Sequence, residues 1–162
     1  MSKAVLLDRD GTINVDHGYL HDPALLELLP GVEEALTKLT ELGYLLILIT
    51  NQSGIGRGYF TEDKYLEFNQ ALISALEQRG IKIAATYMCP HAPEEDCTCR
   101  KPNPYMALRA IEDFGIEAAK SYMFGDKTSD VECGEAAGLT SRLIKGEQDL
   151  LCWTNEIIDK RL

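Results

Sequence analysis

Four apolar runs, at residues 4–7, 44–50, 83–89 and 121–125, alternate along this chain with stretches of helical periodicity. A weaker fifth run covers residues 140–144. Short apolar runs without polar alternation read as strands buried on both faces, and the intervening helices supply the cover. Residues 31–42 set Val32, Ala35, Leu36, Leu39 and Leu42 on one helical face before Gly43. Thr61 is a natural N-cap followed by Glu62 and Asp63. Tyr65, Phe68, Leu72 and Leu76 then line one face as far as Gly80. Asn103-Pro104 reads as N-cap and first helical residue of a stretch ending at Phe114-Gly115. Residues 131–137 form a short helix before Gly138, and Cys133 and Cys152 read as packing residues on helical segments. The expected fold is α/β: a mainly parallel sheet between two helical layers. Without repeat or linker, residues 1–162 are expected to form one domain.

Composition narrows the partners. A chain of 162 residues, 45% hydrophobic and 26% charged, can build a proper core. The net charge of −10 argues against non-specific binding to nucleic acid or an anionic membrane. An anionic substrate must therefore be drawn in by a local cluster of cations and metal. No apolar stretch approaches the ~20 residues of a membrane span. Met1-Ser2-Lys3 leads directly into the first strand, so no signal peptide is expected. Three of the five cysteines crowd between residues 89 and 99, which suits metal better than disulfides. A reducing cytoplasm fits this pattern.

The chemistry sits where the apolar runs end. Asp8-Arg9-Asp10-Gly11-Thr12 follows the first run. Carboxylates at i and i+2 on an extended segment point the same way, toward the crevice where open α/β sheets bind ligands. One can attack phosphorus, the other can shuttle a proton, and both can help hold magnesium. Thr50-Asn51 closes the second run and offers a hydroxyl and amide donors to a phosphate oxygen. Arg100-Lys101 precedes a helix start, where free N–H groups already favour an anion. Gly125-Asp126-Lys127 closes the fourth run with a further carboxylate. No Gly-x-x-x-x-Gly-Lys-Ser/Thr loop is present, which excludes a P-loop nucleotide enzyme.

Cys89, His91, Cys97 and Cys99 supply three thiols and an imidazole within eleven residues. Four protein ligands make a tetrahedral zinc site with no open position, hence a structural one. Residues 92–96 between them are acidic and loop-like, and thiolate–zinc bonds would supply their stability, ~10 kcal/mol in small zinc modules.

The order and spacing of these segments resemble the haloacid-dehalogenase-like (HAD) phosphatases over essentially the whole chain. The resemblance implies a three-layer Rossmann-like fold without a cap domain. It also implies that Asp8 is phosphorylated, that Asp10 is the general acid/base, that Thr50 and Lys101 bind the phosphoryl group, and that Asp8, Asp10 and Asp126 hold magnesium. The zinc loop at about 89–99, running into Arg100-Lys101-Pro102, is similar to a subgroup containing D-glycero-D-manno-heptose 1,7-bisphosphate 7-phosphatases and histidinol-phosphatase domains. The segments 14–21 and 50–58 resemble the heptose enzymes more closely. Substrate-binding candidates by that resemblance are Asp16, His17, Gly18, Tyr19, Asn51, Gln52, Ser53, Arg100 and Lys127. The implied reaction removes the 7-phosphate in ADP-heptose or GDP-heptose precursor synthesis, by a monomer acting on a small sugar bisphosphate. Arg57, Arg100 and Lys127 favour a bisphosphate over histidinol phosphate. A third reading is a zinc-stabilised binding module without turnover, against which the full set of Asp8, Asp10 and Asp126 argues. Residues 150–162 are expected to trim the final helical region of the family without touching a motif.

Overall fold

Successive residues of the first strand serve opposite layers. The computed structural model, which describes residues 1–162, forms β1 from Ala4–Leu7. Val5 and Leu7 pack with Leu46, Leu48 and Phe124 on one face of the sheet. Ala4 and Leu6 pack with Ile47, Ile49, Cys89 and Met123 on the other. Such two-sided burial is why these strands carry no polar alternation.

The remaining strands are β2 (Leu45–Asn51), β3 (Ala85–Cys89), β4 (Tyr122–Gly125) and β5 (Thr140–Leu143). All pairings are parallel, in the order β3-β2-β1-β4-β5. From β1 the chain builds outward through β2 to β3, then crosses to the other flank for β4 and β5. Connections thus diverge on either side of β1, and ligands bind outside the carboxyl ends of strands at such a switch.

The first face is covered by α1 (Val32–Glu41), α3 (Glu62–Glu77) and α6 (Leu150–Ile158), through Leu36, Leu39, Leu72, Leu76, Leu150 and Ile157. The second face is covered by α4 (Tyr105–Phe114) and α5 (Thr128–Ala136), through Met106, Ala107, Ala110 and Cys133. A further single turn, α2 (Ser53–Gly56), follows β2. No helix is long and apolar enough to cross a membrane.

Element boundaries moved in places. Thr61 caps α3 as expected, accepting from the Lys64 N–H. Asn103 does not cap α4; its N–H closes a turn onto the Arg100 carbonyl, and Pro104 takes the cap position. The α5 helix begins three residues earlier than the apolar periodicity indicated, because the Asp130 carboxylate accepts from the Lys127 N–H and closes its first turn. The end of the chain, expected to be trimmed, still folds as α6. Asp149 caps it by accepting from the Cys152 N–H at 2.8 Å, and Trp153 donates to the Leu143 carbonyl at 3.0 Å. Asp149→Ala should lower stability by about 1 kcal/mol, as loss of an N-cap does. Urea unfolding midpoints of the two proteins measure that difference.

Candidate active site

Every polar segment singled out above arrives at the carboxyl ends of the strands. Asp8 continues β1, its N–H still bonded to the Phe124 carbonyl of β4 at 3.0 Å. One of its oxygens accepts from Lys101 Nζ at 2.8 Å. The same ammonium donates to Asp130 Oδ1 at 2.6 Å and to the Ile49 carbonyl at 2.7 Å. Lys101 is only 4% exposed. Burial works against its charge, but the Asp8 and Asp130 carboxylates more than offset this and hold the ammonium above the usual lysine range. Its backbone is held as firmly: the Asn51 side chain accepts from the Lys101 N–H at 3.1 Å and donates to the Lys101 carbonyl at 3.3 Å. Asn51 lines the cleft, but its amide is already committed to this clamp.

Asp8, Asp126 and Asp130 bring carboxylate oxygens within 4.8 Å of one another. Burial and the adjacent Asp8 carboxylate push Asp126 up to about 7. Burial, then Asp8, also raises Asp130, with Lys101 pulling the other way. Of the four oxygens on Asp126 and Asp130, one stands out. Asp130 is engaged at one oxygen by Lys101 and at the other by the Lys127 N–H. Asp126 Oδ1 is buried without any hydrogen-bond partner. Lys101 engages only one oxygen of Asp8. A cluster of buried carboxylates with one lysine and an orphaned oxygen fits a hard divalent cation. Gly11 is required here, because its φ is +84° and a Cβ would overlap the Asp126 carboxylate.

Asp10 does not join that group. Its Oδ1 accepts from Arg9 Nε at 2.9 Å and Asn14 Nδ2 at 3.0 Å. Its Oδ2 accepts from Arg9 Nη2 at 3.0 Å and Gln52 Nε2 at 3.1 Å. Gln52 also donates to the Thr50 hydroxyl at 2.9 Å, linking the acid to the end of β2. Held by these four donors, the Asp10 side chain stands outside the cluster that Asp8 forms with Asp126 and Asp130, and is not placed to share a cation with them.

Asp8, Asp10, Thr50 and Lys101 open into a cleft of about 290 Å³. Asp16, Gly18 and Tyr19 form one wall, from the loop after β1. Gln52, Ser53 and Arg57, on and beside α2, form another. Arg100 and Lys127 complete the rim with Ser129 and Asp130. Arg57 stands over the Tyr19 ring at 5.9 Å, and Tyr59 meets Tyr19 edge-on at 4.7 Å. Of the expected substrate residues only His17 lies outside the lining, on the exposed loop tip.

Cys89, His91, Cys97 and Cys99 also converge within 4.8 Å. Cys89 Sγ lies 3.8 Å from Cys97 Sγ, and His91 Nδ1 lies 3.4 and 3.3 Å from the sulfurs of Cys89 and Cys99. The Cys89 and Cys99 sulfurs are also within disulfide reach. A disulfide alone would leave Cys97 and His91 converging on nothing. Four ligands around zinc account for the convergence of Cys97 and His91 and for the Cys89–Cys97 spacing, since tetrahedral Zn–S bonds of about 2.3 Å separate two sulfurs by about 3.8 Å, whereas Cys89 and Cys99 stand closer than two zinc ligands would. The loop carries more than metal ligands. The Gly56 N–H of α2 donates to the Pro90 carbonyl at 2.8 Å, and a Cβ on Gly56 would stand 2.9 Å from that oxygen. Arg100 Nη1 reaches the His91 carbonyl at 3.5 Å.

Two residues of the site escaped sequence reasoning. Asp130 follows Asp126 by four positions, a helical spacing that could have been read as a second acid over the same crevice. Arg9 stands between two acids in the sequence and is given no role there, yet it is completely buried.

The chain's relatives agree with this geometry. Residues 98–154 match the HAD-hydrolase-like family. The D-glycero-beta-D-manno-heptose-1,7-bisphosphate 7-phosphatase of Pasteurella multocida is 44% identical over 150 residues, 89% of this chain and 82% of the relative. That of Vibrio cholerae is 44% identical over 87% of this chain and 80% of its own. Among solved structures, D,D-heptose 1,7-bisphosphate phosphatase from B. bronchiseptica, complexed with magnesium and phosphate, superposes with a TM-score of 0.90. It is 29% identical, over 98% of this chain and 99% of that one. The expected fold, enzyme class and family are thereby met, and the chain belongs to the D-glycero-β-D-manno-heptose 1,7-bisphosphate 7-phosphatase family of HAD-like hydrolases.

Proposed function

We propose that this chain hydrolyses the 7-phosphate of D-glycero-D-manno-heptose 1,7-bisphosphate, as its relatives' names state for them. The observation that carries the reading is the distribution of cations in the cleft. Lys101 is already balanced by Asp8 and Asp130, whereas Arg57, Arg100 and Lys127 line the cleft beyond the carboxylate cluster. A substrate with a second phosphate gives those three charges a partner. The amine and imidazole of histidinol phosphate would instead need acids, and beyond the catalytic set the cleft offers only Asp16.

The geometry supports the following roles. An Asp8 oxygen attacks phosphorus and forms an aspartyl phosphate as the bond to the sugar oxygen breaks. Asp10 gives that sugar oxygen its proton. Asp10 then takes a proton from water, whose oxygen attacks the same phosphorus, breaks the aspartyl bond and releases inorganic phosphate. The Thr50 hydroxyl donates toward the phosphoryl oxygens, and Lys101, whose three N–H groups are engaged by Asp8, Asp130 and the Ile49 carbonyl, stabilises their charge as a fixed cation beside the nucleophile. Magnesium, when bound, supplies positive charge against those oxygens. Its protein ligands would be Asp8 and Asp126, whose oxygens are not all spent on donors. Zinc at Cys89, His91, Cys97 and Cys99 would be structural. The enzyme acts as a cytoplasmic monomer of one domain in heptose precursor synthesis.

A phosphate-release screen with magnesium tests this reading. The heptose bisphosphate should be the preferred substrate, ahead of heptose 7-phosphate and histidinol phosphate, and phosphorus NMR should locate the loss at C7. Preference for histidinol phosphate would overturn the assignment. Asp8→Asn should abolish turnover while circular dichroism stays unchanged; phosphate release above a few per cent of wild type would refute the covalent route. Arg100→Ala should depress efficiency on the bisphosphate about ten- to a hundred-fold, the worth of a charge-assisted contact of ~1.5–3 kcal/mol. On heptose 7-phosphate the loss should be small, and equal losses would place Arg100 on the reacting phosphate instead. Zinc should be found at about one per chain with no exchangeable water ligand. Cys97→Ser should lower zinc content and thermal stability and raise KM, because Arg100, Lys101 and α2 all lean on that loop.

A further inference from the structure

Arg9 is the largest side chain in the molecule to be wholly shut off from solvent. It lies between the nucleophile and the general acid/base, yet it touches neither cleft nor solvent. Its guanidinium sits in a dry pocket built by α3, with the Phe68 ring at 4.7 Å and the Tyr65 ring at 5.6 Å. The cation pairs with the Asp10 carboxylate through two parallel hydrogen bonds of 2.9 and 3.0 Å. One of its nitrogens, Nη1, is left with no acceptor. A buried guanidinium with an unsatisfied nitrogen is costly to the fold. Had stability alone been at stake, an apolar side chain would fill that space among aromatic rings at lower cost.

We propose that Arg9 is the positioning residue of the general acid/base, an inference that rests on the assignment of Asp10 to that role. Two parallel N–H donors fix both the place and the plane of a carboxylate, which a single donor cannot do. Phe68 and Tyr65 fix the fork in turn, so the aim of Asp10 is set by the packing of α3. Asn14 and Gln52 each donate to one of the same two oxygens. Arg9 also divides the labour of the two acids. Asp8 is balanced by Lys101 and Asp10 by Arg9, so the shuttle is kept apart from the Asp8, Asp126 and Asp130 cluster. Without the fork, Asp10 would be free to turn toward that cluster.

The test uses the leaving group. Arg9→Met and Arg9→Lys are made in the full chain, and each is also combined with Asp10→Asn. On the sugar bisphosphate, Arg9→Met should lower kcat by about a hundred-fold, the cost of a misplacement near 1 Å, with KM little changed. With an aryl phosphate whose phenol leaves without a proton, rapid mixing should give a phenol burst at the wild-type rate. Hydrolysis of the aspartyl phosphate, which needs Asp10 as base, should then be slow. Arg9→Lys keeps the charge but not the fork, and should fold normally yet stay defective in kcat. In the Asp10→Asn background neither Arg9 substitution should lower kcat further. Full activity in Arg9→Lys, a burst slowed as much as sugar turnover, or additive losses in the double variants would each overturn the proposal. Should Arg9→Met fail to fold, Arg9→Lys and its double variant decide alone. An Asp10→Asn protein with unimpaired kcat would instead refute the acid/base assignment, a result distinct from failure of the Arg9 proposal.

Discussion

A single buried ammonium holds this site together. Lys101 Nζ bonds at once to Asp8 at the end of β1, to the Ile49 carbonyl in β2 and to Asp130 in α5. Its own backbone is clamped by Asn51 at the end of β2. Four segments remote in sequence thus meet on one charge. Such a charge is tolerable only when fully paired, because removing one partner of a buried ion pair costs about 3–5 kcal/mol. Asp8, Lys101 and the floor of the cleft cannot shift independently.

The strands were legible because burial on both faces leaves an unmistakable apolar signature, as in Leu46–Leu48 and Ala4–Leu7. The motif residues were legible because each stands at a strand end, where this topology must open a crevice. What stayed hidden depended on contacts between distant residues. Asp130 and Arg9 are charged residues beside other charged residues, and only the fold reveals that Asp130 meets Lys101 and that Arg9 lies under α3. The α4 start was misplaced by one residue because Asn103 spends its N–H on a turn rather than its side chain on a cap. In α6, Asp149 caps a helix that carries no motif residue, so nothing in the chemistry of the sequence pointed to it.

The loop between β3 and Lys101 makes a different use of physical chemistry. From Pro93 to Asp96 its side chains are exposed, so hydrophobic burial cannot hold it. Convergent thiols and an imidazole do that job from a handful of residues. The loop in turn supports α2 at Pro90 and Arg100 at His91. Zinc bound there would turn its binding energy into the placement of two cleft walls.

The contact between α2 and this loop also bears on how such a cleft diversifies. Ser53, Arg57 and Arg100 project from a frame whose shape is set by backbone hydrogen bonds and metal ligands, not by those three side chains. Exchanging Ser53 or Arg57 would change the wall of the cleft while leaving the backbone hydrogen bonds of the frame and the Lys101 ion pairs in place. Recognition and catalysis are therefore separable under mutation. A lineage carrying this scaffold can retune the far end of its substrate one residue at a time without passing through an inactive or unfolded ancestor.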